Sequence, residues 1–220
     1  MLLDCLTAPI ESHWGDRYKT PNGPLFFRDN GARVLGVAHL DVVMKSKPRR
    51  YDDYIMCPQL DDRLGVWILL DVLPKMNIQV DVLLTTGEES CRSTGEFFTP
   101  IKDYNWVVEF DRAGSDVVFY QYEDFADQWK GWKIGDGSFS DISVMDHLGV
   151  MCANVGIGYH AQHTKNCWAD LRETAAQVKH FAEFYGQNKN KRFAYNPFID
   201  WDEDTEEFYN AWDKYEREYK

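Results

Sequence analysis

The chain of 220 residues lacks several features that would each announce a class of protein. No stretch approaches the roughly 20 apolar residues needed to cross a bilayer. The longest apolar run, residues 64–70, sits among charged neighbours and reads as a core helix. The first residues, MLLDCLTAPI, include Asp4 but no basic segment, and their apolar run is too short for a secretory signal. A surplus of positive charge is missing too: 24 Lys and Arg face 36 Asp and Glu, for a net charge of -12. That balance argues against a nucleic-acid partner and against an anionic membrane surface, both of which reward a basic face. There is no CxxC pair, and the five cysteines are an odd number, so reduced thiols in a cytoplasm are expected and a cysteine-built structural zinc site is not. The HExxH zinc helix is absent, as are internal repeats.

What is present suffices for one well-packed domain: 44% of the residues are hydrophobic and 15% aromatic. Residues 33–40 (RVLGVAHL) read as a buried strand and 64–73 (LGVWILLDVL) as a buried helix. Residues 78–86 (IQVDVLLTT) and 105–110 (NWVVEF) read as further strands, with a short helix over 91–98 between them. Residues 117–122 (VVFYQY) are expected to pair antiparallel beside 105–110, and 150–156 (VMCANVG) to add a core strand. Asp170 to Glu173 has the form of a capping box, opening a helix whose inner face is Leu171, Ala175, Val178, Phe181, Ala182 and Tyr185. This alternation predicts an α/β fold, a three-layer α/β/α sandwich on a mostly parallel central sheet. Residues 1–187 form the single catalytic unit in this reading. Residues 188–220, a basic link followed by an acidic, aromatic segment, form a tail expected to be helical from Trp201 and docked on the domain. Asp200, Asp202 and Asp204 resemble the start of a calcium loop, but Thr205 and Ala211 occupy its Gly and Glu positions, which excludes it.

Acids and histidines cluster where the predicted strands end: His39 with Asp41, Asp61 with Asp62, Glu88 with Glu89, Asp111, and His160 with His163. Open α/β sheets bind their ligands at that edge. Each motif also has a plain structural reading. His39 and Asp41 leave one face of an extended segment, as a metal-bound imidazole with its orienting carboxylate would, or as a satisfied strand-end histidine. Asp61 and Asp62 cap a helix, or Asp61 bridges two cations. Glu88 and Glu89 are solvated loop acids, or a base beside a ligand, since a cation removes the repulsion between neighbouring carboxylates. Asp111 ends its strand as a turn former or a ligand. His160 and His163 lie in a glycine-containing loop, where histidines are commonly surface residues. Trp67 and Trp106 read as core. Trp129, Trp132 and Phe139 read as core or as a pocket wall.

In order along the chain, GVAHLD, LDDRLGVWILL, TTGEES, VVEFD and GYHAQHTKNCWADLRE resemble the co-catalytic di-zinc exopeptidases of metallopeptidase clan MH. That clan includes the aminoacylase and carboxypeptidase G-like enzymes, peptidase T and the tetrahedral aminopeptidases. The resemblance implies a zinc-dependent metallopeptidase cleaving a short peptide from one end, or an N-acyl amino acid deacylase with the same site. It implies two divalent ions, zinc foremost with cobalt or manganese compatible, bound by His39, Asp61, Glu89, Asp111 and His163. Asp61 would bridge, Asp41 would orient His39 and Glu88 would be the general base. His163 is preferred to His160 because the following DLR sets its register. Two departures stand out. Cys167 replaces the acid that commonly follows the last histidine by four positions, and only residues 112–139 separate Asp111 from Ser140, too few for the lid or dimerisation domain of aminoacylase-type relatives. A homo-oligomer or the tail could supply the groups such a lid would bring. A non-catalytic interaction module on this fold is the reading from another class.

Overall fold

The computed structural model describes residues 2–196. After a short helix α1 (Leu2–Thr7), the chain forms the hairpin β1 (Asp16–Thr20) and β2 (Gly23–Arg28), then β3 (Val34–His39). A small hairpin, β4 (Arg49–Tyr51) and β5 (Tyr54–Met56), leads into α2 (Leu60–Trp67), which continues through a π-helical turn (Ile68–Val72) into α3 (Leu73–Lys75). The strands β6 (Asp81–Thr85), β7 (Trp106–Arg112), β8 (Val117–Val118) and β9 (Cys152–Gly156) follow. Two short strands, β10 (Tyr159–His160) and β11 (Trp168–Asp170), precede the long helix α4 (Leu171–Asn188).

Seven strands make the main sheet in the order β1-β2-β6-β3-β7-β9-β8. Its four central strands are parallel, as β6, β3, β7 and β9 pair in one direction, and the flanking strands join them antiparallel. β3 and β6 are buried along their whole length, which is why they read as continuous apolar runs without alternation. Along β7, Trp106 and Phe110 meet Phe181 of α4 edge-to-face, while Glu109 reaches Ser140 and Asp141. The alternation of side chains therefore puts α4 on one face and the 3₁₀ turn Asp141–Val144 on the other. The α2 helix lies so close to β7 that a Cβ on Gly65 would meet the Phe110 carbonyl oxygen at 2.2 Å, so only glycine fits there. A second, four-stranded antiparallel sheet, β10-β11-β5-β4, stands apart from the first.

Three local expectations change. Residues 117–118 pair with β9 rather than β7, because β3 and β9 already occupy both edges of β7. The helix expected over 91–98 is broken, since Cys91 takes a left-handed φ of 54° and Ser93 is extended. Two 3₁₀ turns, Glu88–Ser90 and Thr94–Phe97, flank the break. The capping box does not close: Asp170 accepts from the Arg172 amide at 2.9 Å and binds its guanidinium, whereas Glu173 turns to His160. The inner face of α4 is Thr174, Val178, Phe181, Phe184, Tyr185 and Asn188, with Ala175 exposed.

Residues 112–139 fold back on the domain. Trp129 stacks on Phe184 at 3.9 Å between ring centres, and Trp132 stacks on His180 of α4 at 4.1 Å, so both belong to the packing around that helix. Beyond α4 the chain returns along the sheet, with Phe193 donating to the Asn105 carbonyl and Met151 to that of Phe193. The helix expected from Trp201 lies outside the described residues. Among the described residues, no helix is long and apolar enough to cross a membrane.

Candidate metal centre

The carboxyl ends of β3, β6 and β7 open at one edge of the sheet, and the acids and histidines singled out in the sequence meet there. His39 is the last residue of β3 and fully buried. Its Nε2 lies 3.4 Å from Asp61 Oδ1, 3.5 Å from Asp111 Oδ1 and 3.6 Å from Glu88 Oε2, yet makes no hydrogen bond. Its Nδ1 lies 2.9 Å from the Asp41 carbonyl oxygen and 3.7 Å from the Asp41 carboxylate. The Asp41 backbone, more than its side chain, therefore orients the ring. The Asp41 carboxylate instead accepts from the Glu89 amide at 3.2 Å.

Asp61 comes from the start of α2. While its Oδ1 faces His39, its Oδ2 lies 3.1 Å from His163 Nε2. His163 also lies 3.0 Å from Glu89 Oε2. The loop bearing it lies between β10 and β11. His160, three residues earlier, is turned away: its Nε2 lies 2.8 Å from Glu173 Oε2 and its ring stacks on Trp168 at 4.4 Å. All seven residues expected in the site are thus gathered, and His160 is not among them.

Glu88 and Glu89 sit on a tight turn that begins at Gly87, whose φ is 86°. A Cβ there would stand 2.4 Å from the Arg92 carbonyl oxygen, so glycine is needed both for the left-handed backbone and for the closure of the loop.

Electrostatics set this cluster apart from ordinary loop acids. Burial, reinforced by Asp111, Asp141 and Asp61, pushes the Glu88 carboxyl up to about 9 against the pull of His39. Burial likewise raises Asp111 to about 7, with His39 opposing. Glu89 is raised, chiefly by burial. His39 would be depressed by burial alone, but Asp111, Asp61 and Glu88 outweigh that and hold it well above its ordinary value. Burial would raise Asp61 too, but its contacts with His163 and His39 hold it below the usual range. A buried imidazole nitrogen with no hydrogen-bond partner, ringed by carboxylates that repel one another, fits a divalent cation. His39, Glu88 and Asp111 form one group with ligand atoms mutually within 4.8 Å, and His39, Asp61 and Glu89 form another. Nitrogen and carboxylate donors together suit zinc and related ions.

Other residues of the site carry no recognisable motif. Asp62, expected only as a helix-capping acid beside Asp61, is fully buried and accepts from the His39 amide at 3.3 Å and the Gly65 amide at 3.1 Å. The Tyr159 hydroxyl donates to Asp111 Oδ1 at 3.2 Å. Glu109 and Asp141, both fully buried, lie just behind. An acid inside the apolar strand 106–110 was the one signal for Glu109.

No family model and no curated protein matches the sequence. Solved structures do match. Aminopeptidase PepT from Bacillus cereus superposes with a TM-score of 0.56 at 11% identity, over 83% of this chain and 95% of that one. A tripeptidase from Staphylococcus aureus gives 0.56 at 11% identity, over 80% and 89%. An aminopeptidase from the archaeon Desulfurococcus kamchatkensis gives 0.52 at 12% identity, over 86% and 91%. The fold of this chain is that of these exopeptidases, in agreement with the resemblance carried by its five motifs.

Proposed function

We propose that this protein is a metal-dependent hydrolase that cleaves a peptide bond at one end of a short peptide. Two divalent ions, zinc foremost, would be held by His39, Asp61, Glu89, Asp111 and His163. The observation that carries this reading is the division of Asp61, with one carboxylate oxygen toward His39 and the other toward His163. That is the disposition a bridging carboxylate needs. When bound, such ions supply Lewis acidity toward the scissile carbonyl and acidify a water molecule.

The chain's own groups do the rest. Glu88, raised to about 9 in the metal-free site, would be returned to its ionised form by the charge of bound cations. Its Oε2 then takes the proton of the attacking water and returns it to the leaving nitrogen. The Asp41 carbonyl holds the Nδ1 proton of His39, which leaves Nε2 free as a donor of its lone pair. Tyr159 fixes Asp111 from the buried side. The stretch 112–139 contributes no separate lid, so the substrate approaches from the side on which the His163 ring is exposed.

Metal content of the purified protein, measured with a digestion of free-amino peptides and of N-acylated amino acids, tests the proposal. Two ions per chain with release of terminal residues from peptides is the expected result. Selective cleavage of N-acylated amino acids would make it a deacylase with the same machinery. Neither ion nor hydrolysis would overturn the assignment and leave an interaction module.

A further inference from the structure

We propose that Asp141 is a positioning residue that clamps the neck of the loop presenting Glu88 and Glu89, a role that rests on reading Glu88 as the base and Glu89 as a ligand. The loop leaves the sheet at the end of β6 and is closed where Thr94 donates its amide to the Thr86 carbonyl at 2.9 Å and accepts the Thr86 amide on its hydroxyl at 3.0 Å. The residues flanking this closure, Thr85 just before it and Ser93 just within it, both turn their hydroxyls to one carboxylate. Thr85 Oγ1 donates to Asp141 Oδ2 at 2.6 Å, and Ser93 Oγ donates to Asp141 Oδ1. One buried acid therefore gathers both stems of the loop.

The clamp is itself anchored. The Asp141 amide donates to Glu109 Oε1 at 3.1 Å, and Ser140 Oγ donates to Glu109 Oε2. Glu109 belongs to β7, two residues before Asp111. A continuous set of hydrogen bonds thus runs from the strand carrying Asp111, through Asp141, to the loop carrying the base. Beyond the neck the loop is exposed at Ser90, Cys91 and Arg92, and Glu89 is held from outside it by Asp41, Val43 and His163.

The residue type is informative. Asp141 is fully buried, and among the described residues no Lys or Arg forms an ion pair with it. A carboxylate so placed carries a desolvation penalty that an apolar side chain would avoid. What it offers in return is acceptance at both oxygens, so both hydroxyls must donate inward and both stems are fixed at once. Asparagine accepts at one oxygen only. It can face Ser93 while the Thr85 hydroxyl turns to the Ala38 carbonyl, now 3.4 Å away. Asp141→Asn is accordingly a partial rescue of Asp141→Ala.

Hydrogen exchange on the metal-free protein tests the clamp without reference to catalysis, and zinc titration and kinetics on the loaded protein test its consequence. Asp141→Ala should speed exchange of the amides of residues 86–94 by about tenfold, the size of one or two lost buried hydrogen bonds. β3 and β9 should stay protected. The same variant should bind its second zinc ion more weakly and lower kcat by about 10- to 100-fold through misplacement of the base, with KM within about threefold. Asp141→Asn should lie between it and the native protein in all three readouts. Native exchange rates in the loop, or faster exchange with native kcat, would overturn the proposal. If Asp141→Ala does not fold, Ser93→Ala removes one arm alone, and the same loop-confined exchange and loss of kcat are required of it. A native protein that hydrolyses nothing would sink the hydrolase reading, whereas the exchange and zinc titration would still decide the clamp.

Discussion

His39 and His163 face the same carboxylate of Asp61 from opposite sides, yet the protein builds them in different ways. His39 ends a fully buried strand, its amide held by Asp62, its Nδ1 by the Asp41 carbonyl and its side chain wholly out of solvent. His163 stands in a loop with a left-handed φ of 57°, its side chain 56% exposed. One half of the centre is thus part of the sheet and preorganised by it. The other half is a loop brought up to it, held at the carboxylate end by Asp61 and Glu89. The comparison implies that damage to the first half should spread into the fold, whereas damage to the second should stay local.

The largest expected effect belongs to Glu88, which faces the His39 half. Glu88→Gln should retain both ions and lower kcat by about 10³-fold, within the usual range for loss of a general base. Native turnover in that variant, with metal content checked on the same sample, would remove Glu88 from the role. The two histidines come next. In the metal-free protein, His39→Ala leaves Asp61, Glu88 and Asp111 facing one another with only the exposed His163, at Asp61, as a counter-charge. Breaking such a buried arrangement should lower unfolding stability by about 3 kcal/mol. His163→Ala acts at an exposed site and should change stability by under about 1 kcal/mol. Urea unfolding without metal measures both, and equal losses would show that the centre has no rigid and adaptable halves.

Much of this was legible in the sequence, for a physical reason. A parallel sheet buried on both faces writes its strands as continuous apolar runs, and a site at the carboxyl edge must then follow each run. His39, Glu88, Glu89 and Asp111 were found by that rule alone. Asp61 and the choice of His163 over His160 needed the resemblance. The expected α/β fold with its mostly parallel sheet agrees with the structure, but the hairpins β1–β2 and β4–β5 are not among the expected elements: β1 and β4 are short, polar and mostly exposed, and the apolar runs of β2 and β5 are only three and two residues long. Asp141 is also out of reach, and Glu109 is marked only as an acid inside an apolar strand. Their partners are hydroxyls scattered over more than fifty positions, and no local spacing marks a buried carboxylate that binds through folded geometry.

The pH dependence of the metal-free fold sharpens the contrast further. Folded Glu88, at about 9, and folded Asp111, at about 7, both bind protons more tightly than they do in an unfolded chain. His39, raised as well, does the same. The native state therefore holds more protons than the unfolded state between about pH 5 and 9, and its stability must fall as pH rises through that window. The melting temperature of the metal-free protein should drop by about 4 °C or more from pH 5 to 9, the equivalent of at least 1–2 kcal/mol for a chain of this size. Zinc should reverse the slope, because binding requires these groups deprotonated and so strengthens with pH. A melting temperature that climbs from pH 5 to 9 without metal would mean that the carboxylates are not forced together as described.

The smallest effect should come from His160, three residues before His163 and otherwise a rival for the same place. Its contacts belong to the second sheet and to α4: a 2.8 Å hydrogen bond with Glu173, both side chains about one-third exposed, and a stack on Trp168. A pair of that exposure contributes about 0–1 kcal/mol, so His160→Ala should shift stability little. Since no carboxylate of the centre touches it, the variant should also keep both ions and turn over substrate within about twofold of the native rate, a change too small to represent a lost ligand. Metal analysis of His160→Ala beside His163→Ala gives a direct decision. If the first loses an ion and the second keeps two, the loop must rearrange on binding, and the exposed half of the centre would be built around the other histidine.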